Sequence, residues 1–364
     1  MDIGFGLGLR IILGKMAKKV SIVLLNFNNE HDTNKCLDSL VGHDYASFEV
    51  IVVENGSKAE HVVRLKEHIE KVKGHLDVKL VEKTKNYGFA EGNNIGVRKA
   101  KGEYVVLLNN DTIVKKGYLK SMVEKLESSD KIAVVGSRIN NIEEFYGNVE
   151  TLGNVISLMG EPVNVNLKNG VKVEGDDFTF MASGCSMMFR KKVIPEPFDG
   201  DYFMYGEDTY TAWLARLKGY DVKIAPDSKL DHLGGQVRVK ASNLLEFHGE
   251  KNKIVNPLIF YSAGNVFKML PLILVNVLLT LVVSTFKLRV HIRLKSYFYL
   301  VTHFGRIMEK RAWIQKQRRV SDKKIAPYIT YKIPQNFGPL NYVVNAILFI
   351  YCFIVRLPVR ELYI

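Results

Sequence analysis

Cysteine is scarce in this chain: Cys36, Cys185 and Cys352 are the only three among 364 residues, an odd number, widely spaced and without a CxxC pair. That pattern excludes a disulfide scaffold and a cysteine metal centre as defaults and fits a reduced compartment. No Gly-rich, basic phosphate loop follows the first predicted strand, where Asn26-Phe27-Asn28-Asn29-Glu30 stands instead. Internal repeats and low-complexity segments are also missing. With 47% hydrophobic and 24% charged positions, the chain is neither a disordered tail nor a miniprotein. It can build one large core or two modest domains.

Acidic residues are rare in only one part of the chain. Lys and Arg outnumber Asp and Glu by 51 to 38, and from Ala241 onward the counts are 18 and 5. The last third therefore carries the whole net charge of +13, while the first 240 residues balance. The basic positions of that third flank long apolar runs, which favours anionic lipid headgroups over a nucleic-acid backbone. An anionic membrane surface is the expected partner, and nucleic acid is not. At the other end, Ile3 to Leu13 is apolar but short, contains Arg10, and lacks a small-residue cleavage signature. Residues 1–15 are expected to be an N-terminal extension, with Met16 as an alternative start.

The segment 16–240 reads as alternating strands and helices. Val20 to Leu25, Phe48 to Val53, Val78 to Val81 and Tyr104 to Leu108 are apolar runs without polar alternation, as expected of strands covered on both faces. Between them, Cys36, Leu37, Leu40 and Val41 fall at helical spacing, Ala59 to Val72 is an amphipathic helix, and Ala90 to Lys101 is a third helix. Further on, Ile132 to Val135 and Phe178 to Phe189 are predicted strands, and Thr209 to Lys218 a helix. This alternation predicts an α/β fold with a mostly parallel central sheet and flanking helices. Ligands of such sheets bind beyond the carboxyl ends of the strands. Asn26, Asn28, Glu54, Asn55, Asn109 and Asp111 occupy those ends.

Three features carry chemistry. Leu107-Leu108-Asn109-Asn110-Asp111-Thr112 ends a buried strand in a carboxylate, where a divalent cation could meet a diphosphate, since Mg²⁺ and Mn²⁺ use one or two carboxylates beside phosphate oxygens; an Asx turn would use the same residues. Glu207 and Asp208 open a predicted helix, which suits capping of its positive end and equally suits a general base. His232, after Pro226-Asp227, is either a structural hydrogen-bonder or, if near Asp111, a second cation ligand.

Taken in order, several segments resemble the large second family of inverting glycosyltransferases, which have the GT-A fold. They are VSIVLLNFN at Val20 to Asn28, VIVVENGS at Val50 to Ser57, NYGFAEGNNIGVRKAKGEYVVLLNNDT at Asn86 to Thr112, ASGCSMMFRK at Ala182 to Lys191, YFMYGEDTYTAWLARLKGY at Tyr202 to Tyr220, and Pro226 to His232. RAWIQKQRRVSD at Arg311 to Asp322 looks like the tail of the rhamnosyltransferase-like branch. The resemblance implies that Asn28, Glu54, Asn55, Asn109 and Asn110 line a nucleotide-sugar pocket, with Gly88, Gly92 and Asn93 on the loop and helix facing it. It implies that Asp111 is the second acid of the DxD metal motif, His232 a metal ligand and Asp208 the catalytic base. Small residues for close helix packing explain Gly88 and Gly92 as well. Three positions depart from the pattern: Asn109 replaces the first DxD acid, Glu54 stands where Asp is usual, and Tyr210 replaces an acid often found two positions after Asp208.

The expectation is a metal-dependent transfer of one sugar from a nucleotide-diphosphate sugar to a lipid-linked or other glycan acceptor, with Mg or Mn as cofactor. The site would be one cleft faced by Asp111 and Asp208. A QxxRW motif, carried by processive synthases of this fold, is incomplete in Gln315-Lys316-Gln317-Arg318-Arg319. Single transfer is therefore expected over polymer synthesis. The competing readings are a sugar nucleotidyltransferase, disfavoured by the missing phosphate loop, and a non-catalytic, membrane-bound sugar-binding scaffold.

In the helical region 241–364, Met269 to Phe286 has 18 residues without a charge. As a helix it would be about 27 Å long, marginal for a hydrocarbon core near 30 Å. Leu340 to Val355 is shorter, and the loop between them is strongly basic. With a catalytic domain on the cytoplasmic face of the cell membrane, a full crossing would put that loop outside, against the positive-inside rule. Interfacial or re-entrant helices are expected, with Trp313 at headgroup level. Two spans, a soluble helical subdomain and a homodimer interface are the alternatives.

Overall fold

The computed structural model describes residues 19–141, 149–151, 153–164, 178–234, 243–333 and 340–362. The extension 1–15 lies outside them. By contacts the chain forms two compact units, the described residues within Met1–Thr151, Ser183–Gly200 and Ile224–Gly235, and those within Leu152–Ala182, Asp201–Lys223 and Gln236–Ile364.

The first unit is built on a nine-stranded sheet with the order β3-β2-β1-β4-β10-β6-β11-β5, and β7 paired to β6. Its strands are β1 (Val20–Asn26), β2 (Phe48–Asn55), β3 (Val78–Lys83), β4 (Tyr104–Asn109), β5 (Thr112–Val114), β6 (Ile132–Asn141), β7 (Val149–Thr151), β10 (Ser186–Arg190) and β11 (Asp221–His232). β3, β2, β1 and β4 run parallel. β10 is antiparallel to β4 and β6, and β11 is antiparallel to β5. The sheet is therefore mixed rather than mostly parallel, because β10 enters between β4 and β6 antiparallel to both and β11 pairs antiparallel to β5.

Both faces of the parallel half are covered, as its unbroken apolar runs require. Ile22, Leu24, Val50, Val52, Val106 and Leu108 share a core with Cys36, Leu37 and Leu40 of α1 (Glu30–Leu40) and Leu65 and Ile69 of α2 (Ala59–Val72). The alternate residues face α3 (Gly88–Lys99), where a Cβ at Gly92 would lie 2.6 Å from Leu25 Cδ1 and one at Gly96 would overlap Val23. These two glycines let the helix approach the strands closely. Val41, grouped with the inward face of α1 by spacing, is 37% exposed. The charged helix α4 (Tyr118–Glu127) packs Tyr118, Leu119 and Met122 into the same core.

The second unit has a small sheet of β8 (Asn154–Ser157), β9 (Pro162–Asn164) and β12 (Ile329–Thr330) in the order β12-β8-β9. Its helices are α5 (Glu207–Leu217), α6 (Asn243–Phe260), α7 (Ala263–Phe286), α8 (Val290–Thr302), α9 (Phe304–Gln317), α10 (Asp322–Ile325) and α11 (Leu340–Val355). Trp213, fully buried, stacks on Phe260 at 5.0 Å and meets Phe180 and Tyr261 edge-on. Residues of the incomplete QxxRW stretch close the end of α6: Gln315 donates to the carbonyls of Ile259 and Phe260, and Arg318 to that of Phe260. Arg311 adds bonds to the Leu258 and Tyr261 carbonyls. They satisfy the orphan carbonyls that every helix C-terminus leaves. Among the described residues, α7 alone is long and apolar enough to cross a membrane by length and composition, with mean hydropathy 2.4.

Candidate active site

Register brings the polar ends of the parallel strands together. Asn26 of β1 faces Glu54 of β2, and Leu25 faces Asn109 of β4, so each of these strands brings a polar residue at its carboxyl end to the same edge. Glu54 is buried, and its carboxylate accepts from Asn26 Nδ2 at 2.5 Å, the Ser57 amide at 2.5 Å and Ser57 Oγ at 2.8 Å. A buried carboxylate needs such donors. Its longer arm, relative to aspartate, is spent on this turn.

Asn28 sits in the left-handed region at φ 51°, which asparagine tolerates better than most residues. Its amide donates to Ser57 Oγ at 2.8 Å, and its Oδ1 accepts from the Lys58 amide at 2.9 Å. Thr33 links β1 to the β4 tip, donating to Asn26 Oδ1 at 2.8 Å and accepting from Asn110 Nδ2 at 2.8 Å. Asn55, also buried, bonds Asn86 Oδ1 at 3.0 Å, the Gly88 carbonyl at 3.2 Å and the Tyr87 amide at 3.1 Å. It fixes the turn into α3, where Gly88 has φ 79°. Asn93 is 2% exposed and donates to the Phe89 carbonyl of its own helix. Asn109 bonds through its backbone, to Cys185 and Thr112.

Asp111 and His232 meet. The β5–β11 ladder pairs Thr112 with His232, and Asp111 accepts the Leu233 amide at 2.8 Å through its carbonyl. This places His232 Nε2 3.3 Å from Asp111 Oδ1, with Asp111 only 7% exposed. One imidazole nitrogen and one carboxylate oxygen at a strand tip form a donor set suited to a divalent cation that takes its remaining ligands from phosphate and water. No cluster of three or more His, Cys, Asp or Glu side chains occurs among the described residues, so diphosphate oxygens would have to complete the shell. The nearby Cys36 thiol is pushed up to about 12, mainly by burial, which keeps it protonated.

The second unit holds the Glu207-Asp208 pair in the first turn of α5. The loop leading in has positive φ at Phe203 (61°), Tyr205 (67°) and Gly206 (84°), costly for the two non-glycine residues. One side chain holds it: Asn252 of α6, fully buried, donates to the carbonyls of Tyr202 (3.0 Å), Met204 (3.1 Å) and Tyr205 (2.7 Å). Asn256, one turn on, accepts from Tyr202 Oη at 2.6 Å. Thr209 is anchored to the Gly160 carbonyl at 3.2 Å, and Asp208 Oδ1 accepts the Thr209 amide at 2.8 Å.

Glu207 is 8% exposed and Asp208 half-buried. Burial, and then the negative Asp208 beside it, raise the Glu207 carboxyl well above its ordinary range. Both causes favour the protonated form of Glu207 over a second negative charge beside Asp208. Asn252 and Asn256 were not singled out by sequence reasoning, although the i,i+4 spacing of two asparagines within a helix marks one polar face.

A family model for Glycosyl transferase family 2 matches residues 21–194. Poly-beta-1,6-N-acetyl-D-glucosamine synthase of Staphylococcus aureus (strain COL) is 28% identical over 209 residues, which cover 57% of this chain and 48% of that protein. The chain therefore spans about half the length of the curated relatives it matches. Among solved structures, GalNAc-T7 with UDP, GalNAc and Mn²⁺ aligns with TM-score 0.56 at 16% identity, over 71% of this chain and 51% of the other. The mannosyltransferase PcManGT from Pyrobaculum calidifontis, in complex with GDP-Man and Mn²⁺, aligns with TM-score 0.50 at 16% identity, over 91% and 86%. These two likenesses establish the fold, which is GT-A with a mixed sheet. The chain carries a family 2 glycosyltransferase domain.

Proposed function

We propose that the protein moves one sugar from a nucleotide-diphosphate sugar to a hydroxyl of a lipid-linked glycan acceptor, inverting the anomeric centre, at the cytoplasmic face of the cell membrane. The reading rests above all on the contact between Asp111 and His232 at the strand edge that the Asn26–Glu54–Thr33–Asn110 network stiffens. The named relatives act in sugar transfer or polymer synthesis, and two structural neighbours hold a nucleotide or nucleotide sugar with Mn²⁺. Both support a divalent metal and a nucleotide-sugar donor here.

Asn28, Glu54, Asn55, Gly88, Asn93, Asn109 and Asn110 are assigned to shaping the nucleotide-sugar pocket. Asn55 and Glu54 set its loops, while Asn109 and Asn110 border the cation site. A divalent cation on Asp111 and His232 would supply charge neutralisation as the diphosphate departs. Asp208 accepts the proton of the attacking hydroxyl, and Glu207, neutral beside it, keeps a second negative charge out of that corner. Attack opposite to the leaving group inverts the sugar without a covalent enzyme intermediate. Single transfer is preferred to polymerisation because Gln315 and Arg318, the remnant of QxxRW, are committed to closing α6.

The test is release of nucleoside diphosphate by the purified chain with Mg²⁺ or Mn²⁺, membrane lipid extract and a panel of nucleotide sugars. Turnover that disappears in Asp208→Ala while donor binding persists supports the reading over a sugar-binding scaffold. No turnover across the panel contradicts it.

A further inference from the structure

The arrangement of α7 bears on how the protein meets a membrane. At its start, the Ser262 amide and Asn265 Nδ2 are held by Asp322 at 2.9 and 2.7 Å, directly after the end of α6. At its other end, Arg289 binds Glu246 and Asn243, at the beginning of α6. Arg293 then reaches the Glu246 carbonyl and the Glu250 carboxylate. α7 thus folds back beside α6: its start follows the end of α6 within three residues and is pinned by Asp322 of α10, and the turn after its far end is tied through Arg289 to the start of α6.

A helix on the surface of a soluble protein turns polar residues outward, whereas α7 is apolar on its outer face as well. Met269, Ile273 and Ser284 are the buried positions, and Asn276 and Thr280 fall on that same side by spacing. Facing outward is a stripe of Phe267, Leu270, Leu274, Leu278, Val282 and Phe286, with Phe267 at 76% and Phe286 at 85% exposure. At 24 residues the helix is about 36 Å long, so the stripe far exceeds the scattered apolar exposure of a soluble surface. α11 presents a second stripe through Val343, Ile347, Ile350 and Ile354. It is joined to α7 by the Tyr351 hydroxyl, which donates to the Lys268 carbonyl at 2.7 Å.

A perpendicular crossing by α7 would carry α6 and α8 into the hydrocarbon beside it. α6 brings Glu246, Glu250, Lys251, Asn252 and Asn256, and α8 brings Arg293 and an exposed Lys295. Placing such side chains at bilayer depth is strongly unfavourable. We infer that α7 lies flat in one leaflet, its outer stripe at the boundary of headgroups and acyl chains, so that the protein is monotopic on an anionic bilayer rather than spanning it. Lys287, exposed at the end of the stripe, and the excess of basic over acidic residues after Ala241 supply the charge complement. The inference rests on the membrane reading above but not on the chemistry assigned to the site.

The test uses the full chain bound to the outside of preformed phosphatidylcholine/phosphatidylglycerol vesicles, carrying Gly264→Cys or Lys287→Cys, and a membrane-impermeant maleimide. Gly264 has open space around it and Lys287 is exposed, while the three native cysteines are buried. Labelling of both sites before detergent is the expected result. Protection of one site until detergent is added means a span and overturns the inference. In flotation, Leu274→Asp with Leu278→Asp is expected to lower vesicle partition about tenfold or more. Flotation unaffected by that pair would also overturn it. Failure of the unaltered chain to float, with self-association through the stripe, would remove the membrane reading itself, whereas sugar-nucleotide turnover in detergent reports on the chemistry independently.

Discussion

His232 lies 3.3 Å from Asp111 although 120 positions of chain separate them, because the β5–β11 ladder sets Thr112 opposite His232. The carboxylate and the imidazole are brought together by strand register, and under the proposed function each would give one donor to the same cation. Asp111→Asn and His232→Ala should therefore each weaken Mn²⁺ binding. Even residues that merely support metal ligands cost roughly 10–100-fold in affinity, so losses at least that large are expected. Titration followed by electron paramagnetic resonance of free Mn²⁺ measures them without any turnover.

Asp208→Asn should reduce turnover by roughly 10²–10⁴-fold, the usual worth of a positioned proton acceptor. Binding of the nucleotide should be unchanged, since the carboxylate is assigned to the acceptor hydroxyl. Steady-state rates beside calorimetric donor binding separate the two effects.

Asn252→Ala removes the single amide that holds three carbonyls of the loop before α5. We expect a loss of about 1–3 kcal/mol in stability from unsatisfied buried carbonyls. A fall in kcat exceeding any change in donor KM should accompany it, because Glu207 and Asp208 follow that loop directly. Thermal unfolding and kinetics on the same preparation check both.

Glu49 provides an acid-stability handle away from the site. Its carboxylate is buried between Lys79 and Ser21, which outweigh the effect of burial and lower it from 4.5 to about 2. A carboxyl depressed on folding contributes stability above its unfolded value, and that contribution disappears as pH falls from about 4.5 toward 2. Glu49→Gln should lower stability at pH 7 and flatten its fall over that interval. Glu207 works in the other direction: its raised carboxyl penalises folding increasingly as pH rises above 4.5. Glu207→Gln should remove that penalty, so urea midpoints at pH 8 should rise relative to the unaltered protein.

Much of the parallel half could be read from residues alone, because strands buried on both faces must be apolar throughout. Ala59–Val72 and Leu340–Val355 form helices with the expected bounds. The antiparallel half was less legible. Phe178 to Phe189 was expected as one strand, yet only Ser186–Arg190 pairs as β10, since the chain turns at Ser183 with the Ser186 amide on the Ser183 carbonyl. β11 escaped notice because Pro226 interrupts its pattern, as proline usually demotes a strand. Motif positions pointed to Asp111 and His232, whereas Asn252 and Asn256 act on a loop 47 to 54 positions away. No local pattern encodes such a contact.

The most direct test of the central claim is nucleoside diphosphate release by the full chain with Mn²⁺, lipid extract and a nucleotide-sugar panel, run beside Asp111→Asn and Asp208→Asn. The account predicts cation-dependent turnover with at least one donor, lost in both variants, with donor binding intact in Asp208→Asn. Turnover that survives Asp208→Asn unchanged, or no turnover with any donor, would contradict it.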